Sequence, residues 1–261
     1  MPGASLRLYR AAFRTVILSA LVSSAWLFVP GAPLAQEPSM TVKEAQHFLV
    51  RFEGSDNAVS GHLIGLLLEE AYHKVGADLA YWPAERIEAF LYSEKTFYDV
   101  TKSPSWAGAL YDGRIKIPAG GVVERTADLE RVVFHEYTHA LVHALSAGRA
   151  PTWLNEGIAQ YEEGREAGAH KDYLRELAAE GTVSLKELEG PFTALNPDGA
   201  FRAYLLSLSA TEYIVREFGL SSVKRVIEGL GQGLDLEGSI RSSLHLSYED
   251  LEESWLGYLR R

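Results

Sequence analysis

Val132-Val133-Phe134-His135-Glu136-Tyr137-Thr138-His139-Ala140-Leu141 is the stretch from which the rest of the chain is read. Thr126 is placed to cap a helix, with Asp128 and Glu130 in its first turn, where carboxylates favour the helix dipole. A helix should therefore be established well before His135. On it, His135 and His139 are four residues apart and project from one face, a spacing at which two imidazoles bind one metal ion. Glu136 stands beside them, a carboxylate placed to take a proton from water that a cation has acidified. The remaining faces carry Leu129, Val133, Tyr137, Ala140, Leu141 and Ala144, so the helix is expected to be buried on most sides and rigid. His143 continues the series, but one further turn rises about 5.4 Å, which assigns it to the second sphere or to packing.

Two imidazoles do not complete a hydrolytic metal site, which needs a third protein ligand and an open position. The chain contains no cysteine, so that ligand must be a nitrogen or oxygen donor. Trp153-Leu154-Asn155-Glu156-Gly157-Ile158-Ala159-Gln160-Tyr161 offers Glu156 near the start of a second helix. The residues between His139 and Glu156 suffice for the first helix to finish, turn over Gly148 to Pro151, and return alongside. Asn155 and Gln160 flank Glu156 as candidates for orienting the ligands, and Glu162, Glu163, Arg165 and Glu166 read as a solvated helix end.

Composition narrows the class of protein around this site. Of 261 residues, 35 are acidic and 25 basic, a net charge of −10 that repels phosphate backbones and argues against nucleic acid as a partner. The absence of cysteine also removes disulfides, thiol nucleophiles and thiolate metal sites. Arg7, Arg10 and Arg14 precede an apolar run from Val16 to Val29, and small residues end at Ala35. We read 1–35 as a signal peptide, because that run is shorter than the roughly 20 residues of a membrane span. The product is expected to be periplasmic or extracellular, with a membrane tether only if the segment stays uncleaved.

Residues 36–261 are expected to form one α+β domain. Strand-like runs occur around His47–Glu53 and Ile87–Tyr92, and Trp106–Pro118 reads as a hairpin turning at Asp112-Gly113. Gly61 to Gly76 has helical spacing. From Thr126 the pattern is mostly helical, with the metal helices over about 126–164 and further helices over about 170–261. A small N-terminal sheet followed by a helical half gives the α+β class.

The HExxH segment followed by Trp-Leu-Asn-Glu-Gly resembles the gluzincin metallopeptidases, which include thermolysin and the zinc aminopeptidases, and in particular the small bacterial peptidase-MA-like proteins. Pro104 to Pro118 resembles the segment upstream of the zinc helix in the latter. The resemblance implies a zincin-like fold, Zn2+ as cofactor, His135, His139 and Glu156 as ligands, Glu136 as general base, and a peptide or protein substrate. An edge strand near Trp106–Leu110 would border the cleft, with Ala107, Gly108 and Ala109 pairing to a bound peptide. Two departures stand out. The Gly-Ala-Met-Glu-Asn strand of the aminopeptidases has no counterpart, which leaves endopeptidase as the expected activity. The Asp that thermolysin-like enzymes carry four residues after the third ligand is replaced by Gln160. Gluzincins also supply an oxyanion donor from a later helix, a role that falls to Tyr204, with Tyr213 as the competitor on the opposite helix face. The alternative function is an envelope zinc-binding scaffold or adaptor, against which the presence of Glu136 argues.

Overall fold

A computed structural model describes residues 40–54, 57–103, 108–181 and 183–261. The expected signal peptide at 1–35 and the candidate peptide-binding residue Ala107 lie outside the described residues. Strands β1 (Met40–Glu44) and β2 (Phe48–Glu53) pair antiparallel, with Val42 opposite Arg51. Helix α1 (Ala58–Asp78) then carries the chain back, so that β3 (Ile87–Leu91) lies parallel to β2 with Val50 opposite Ala89. Helix α2 (Glu94–Thr101) leads towards β4 (Leu110–Tyr111), which turns into β5 (Ile115–Ile117). Gly113 in that turn has φ +97°, a backbone region open to glycine and strained for other residues. Strand β5 runs parallel to β3 and antiparallel to β4, giving the order β1-β2-β3-β5-β4.

The sheet is held by alternation. Phe48, Val50 and Phe52 of β2 are buried while Leu49 and Arg51 between them are partly exposed, the period of two expected of a pleated strand. The inward set meets Ile64, Leu67, Leu68, Ala71 and Val75 of α1 in one core. Gly61 lies against the Phe52 ring, where a Cβ would force the ring to move.

Seven α-helices follow among the described residues: α3 (Ala127–Ser146), α4 (Thr152–Glu162), α5 (Lys171–Glu180), α6 (Pro197–Phe218), α7 (Leu220–Gly231), α8 (Leu236–Leu244) and α9 (Tyr248–Leu259). They build a second core around Trp153, Ile158, Leu206, Ile227 and Trp255. Helix α3 serves both cores. Val133, Tyr137 and Leu141 pack with the sheet and α1, while Val142 joins the helical set. Among the described residues, no helix is long and apolar enough to cross a membrane.

The chain is α+β, with a five-stranded mixed sheet before a mostly helical part. Within the sheet, strands and helices alternate through β2, α1 and β3, so the sheet centre is parallel and the Asp112-Gly113 hairpin supplies an antiparallel edge. Three elements are not apparent from the residue pattern. Strand β1 is short and mostly solvent-facing. Helix α2 holds only Phe97 buried, and its start depends on the Ser93 hydroxyl accepting the Thr96 amide. Helix α8 is rich in serine and glycine, poor helix formers, and is fixed by the Asp235 cap and by packing of Ile240 and Leu244.

Candidate metal centre

Thr126 caps α3 by accepting the Leu129 amide, and Asp128 and Glu130 occupy the first turn. The helix ends where Ala147 and Gly148 take positive φ values of 51° and 71°, which reverses the chain and lets Pro151 open α4. This antiparallel pair brings the donors together. His135 Nε2 is 3.3 Å and His139 Nε2 3.7 Å from Glu156 Oε2. One donor atom each from His135, Glu136 and His139 lie within 4.8 Å of one another. All four residues are buried: 2% of His135, 0% of Glu136, 1% of His139 and 1% of Glu156 is exposed.

Three further contacts set the orientation of these side chains. Asn155 Oδ1 lies 3.0 Å from His139 Nδ1, so the ring nitrogen facing away from Glu156 is held by the residue beside that carboxylate. Glu163 Oε2 lies 3.3 Å from His135 Nδ1, and its other oxygen pairs with Arg165 Nε. Glu163 therefore does not belong to a solvated helix end: its side chain is 3% exposed. Glu162 is equally buried but turns the other way, to Lys74 of α1 at 2.9 Å. The reason is helical phase. Glu163 follows Glu156 by seven residues, two turns that restore the same face, whereas Glu162 lies about 100° away from it. That heptad relation was available in the sequence and is the signal by which Glu163 is recognisable.

Gln160 does not take the place of an imidazole partner. Its amide donates to the main-chain oxygens of Glu156 (3.2 Å) and Tyr204 (2.8 Å), tying α4 to α6. His143 is also outside the group: it is exposed in the last turn of α3, edge-on to Tyr111 at 5.7 Å, because the extra turn carries it past the donors. Of the candidate peptide-binding residues, Gly108 and Ala109 precede the edge strand, which begins at Leu110, and Ala109 is fully buried. Tyr204 is 5% exposed and close enough to feel Glu156, Glu136 and Glu163, whereas Tyr213 packs on Tyr258 at 5.5 Å.

The electrostatics are those of a cation pocket. Burial opposes a charge on His135, yet Glu163 and Glu156 outweigh it and push the ring up to about 10. His139 is held well below its ordinary value by burial and by the neighbouring His135. Burial raises Glu156, and burial followed by the three nearby carboxylates raises the Tyr204 phenol far above its usual range, so its proton stays on. Donor chemistry fits a divalent ion: His135 Nε2, His139 Nε2 and both Glu156 oxygens are buried without a hydrogen bond, and they comprise two imidazoles and a carboxylate.

Two consecutive helices thus present His135, His139 and Glu156 beside Glu136 as one buried donor group suited to a metal ion. The family model of the Peptidase MA superfamily matches residues 69–261, and the chain belongs to that superfamily. No curated protein matches the chain.

Proposed function

We propose that this protein is an exported zinc endopeptidase. The observation that carries the reading is the convergence of His135 Nε2, His139 Nε2 and Glu156 Oε2 from two helices, with Glu136 in the same buried group. His135, His139 and Glu156 would hold the zinc ion. When bound, the ion supplies Lewis acidity, polarising a carbonyl and making water acidic enough to lose a proton near neutral pH. Glu136 takes that proton on its carboxylate and returns it to the departing amine. Tyr204, whose phenol stays protonated among three carboxylates, donates its O–H to the oxyanion of the tetrahedral intermediate. Asn155 and Glu163 fix the rings of His139 and His135, so the donors are in place before substrate arrives. Peptide is held beside β4, the end of the sheet order among the described residues, by main-chain pairing. The Arg-flanked apolar segment at 1–35 supports export to the periplasm or the extracellular space.

The test is cleavage of a mixed peptide library by the purified chain with added zinc, read by mass spectrometry. Internal cuts are expected, abolished by chelation, restored by zinc and lost in Glu136→Gln. Tight zinc binding without any cleavage, with Glu136→Gln indistinguishable from wild type, would replace the enzyme by a zinc-binding scaffold or adaptor.

A further inference from the structure

A cavity of about 340 Å³ lies between the 3-10 turn at Ala167–His170, the start of α5, the second half of α6 and the end of α9. Its volume falls at the lower end of the 300–1,000 Å³ range of small-molecule sites. None of the metal donors lines it. Its α6 residues Glu212 and Arg216 lie about 12 and 18 Å further along that helix than Tyr204. Leu174, Leu259 and the Tyr258 ring give it apolar walls, and both leucines belong to the helical core. Tyr258 packs on Tyr213 at 5.5 Å, which gives the aromatic wall a fixed place.

The charges around these walls run against the rest of the chain, in which acids outnumber bases by 35 to 25. Lys171, Arg216 and Arg261 line the cavity, and among side-chain carboxylates only that of Glu212 lines it with them. One Glu212 oxygen accepts the Ala167 amide at 2.9 Å, so its charge is partly met by the backbone. The cations are not matched in that way. Asp172, beside Lys171 in the chain, pairs with Arg175 at 3.0 Å, and Lys171 has no ion pair or hydrogen bond among the described residues. Arg216 lays its guanidinium over the Tyr258 ring at 4.8 Å and turns only Nε, at 3.3 Å, to Glu217, in an exposed contact of little strength. Arg261 is held through its main chain, whose amide donates to the Tyr258 oxygen at 3.2 Å and whose oxygen accepts from Arg175 at 3.3 Å. The Ser209 hydroxyl donates to the Leu206 oxygen at 3.0 Å, which leaves polar recognition to the cations.

We infer that this cavity binds a small organic carboxylate with an aromatic or aliphatic body. Lys171 and Arg216 take the carboxylate, the guanidinium by paired N–H donors, and Leu174, Tyr258 and Leu259 take the body. Glu212 disfavours a dianion such as phosphate by repulsion. Because no metal donor takes part, the site is independent of the peptidase reading above.

The test follows the amide resonances of Gly168, Lys171 and Leu259 by NMR in the full chain, with zinc added and again with a chelator. Phenylacetate, phenylacetamide and 2-phenylethylammonium share a ring and differ in the charge at its end. Phenylacetate is expected to bind with a Kd of about 1 mM or tighter, the amide about 10-fold or more weakly, and the ammonium not at all. Joint replacement of two exposed cations, Lys171→Gln with Arg216→Gln, should weaken phenylacetate by about 10-fold or more. Gly168→Phe fills the cavity from a position where a Cβ meets nothing within 4 Å, and should abolish binding. Added salt should weaken it, and the chelator should leave it unchanged. No saturation by phenylacetate, equal binding of the amide, or tighter binding of the ammonium would overturn the carboxylate site. So would phosphate binding as well as phenylacetate, which would make the cavity a bare anion site. Binding that the chelator removes would place the carboxylate on the metal donors instead, and binding that survives both Gly168→Phe and the loss of the two cations would place it elsewhere on the surface.

Discussion

Glu163 and Tyr204 show how single side chains tune the donor group. Removing the charge of Glu163 in Glu163→Gln leaves the Arg165 contact weakened and the His135 ring without its carboxylate, so zinc affinity should fall by about 10- to 100-fold. Competition with a chromophoric chelator measures this, and unchanged affinity would make Glu163 a packing residue. Tyr204→Phe keeps the ring against Phe192 and removes only the hydroxyl, so kcat should drop by about 10²-fold with zinc content unchanged. A loss in Tyr213→Phe instead would transfer the donor role. Glu162 yields a pH prediction. Burial, partly offset by Lys74, raises its carboxyl to about 7 from the ordinary 4.5. The folded state then binds the proton more tightly than the unfolded chain, so this residue's contribution to stability is greatest below about pH 4.5 and is lost as pH rises to about 7. Glu162→Gln should match wild type in acid and exceed it above pH 7, by on the order of 3 kcal/mol in chemical denaturation. A constant difference across that range would contradict the burial argument.

At the scale of elements, the glycine that follows Glu156 has a packing reason. A Cβ on Gly157 would overlap the Ser207 main-chain oxygen and the Thr211 hydroxyl, so α4 and α6 touch backbone to backbone there. This contact brings Tyr204 to the metal group. Gly157→Ala must push the helices apart, and we expect destabilisation of about 1–3 kcal/mol together with a fall in kcat larger than the fall in zinc affinity. Equal losses would mean that α4 itself had moved. Such a contact explains what was and was not legible beforehand. The α3 and α4 donors follow from i, i+4 geometry and a short connection, which are local and visible as residue spacing. The role of Gly157, the outward turn of Gln160 to main-chain oxygens and the partnership of Glu163 with His135 depend on which helices meet. Tyr204 is visible only through the resemblance to gluzincins, and helical phase separates it from Tyr213. Strand β1 and helix α8 left weak patterns because neighbours, rather than propensity, hold them in place.

Across the whole molecule, two cores share α3, and neither depends on an ion for its hydrophobic contacts. Chelation should therefore lower the melting temperature while leaving far-UV circular dichroism largely native, unlike a zinc finger, which unfolds without metal. Loss of most helical signal on chelation would show that the buried donor set is the keystone instead. The same arrangement bears on the order in which the site comes into being. His135, His139 and Glu156 lie on two consecutive helices joined by a short reversal, whereas Tyr204 waits for α6 and the sheet is joined through contacts distant along the chain. Contacts close in sequence form with less loss of chain entropy than distant ones. Along the chain the helical hairpin that carries all three donors precedes the helix that carries Tyr204, so on the proposed mechanism a folding intermediate holding only that hairpin would bind an ion without yet having its oxyanion donor.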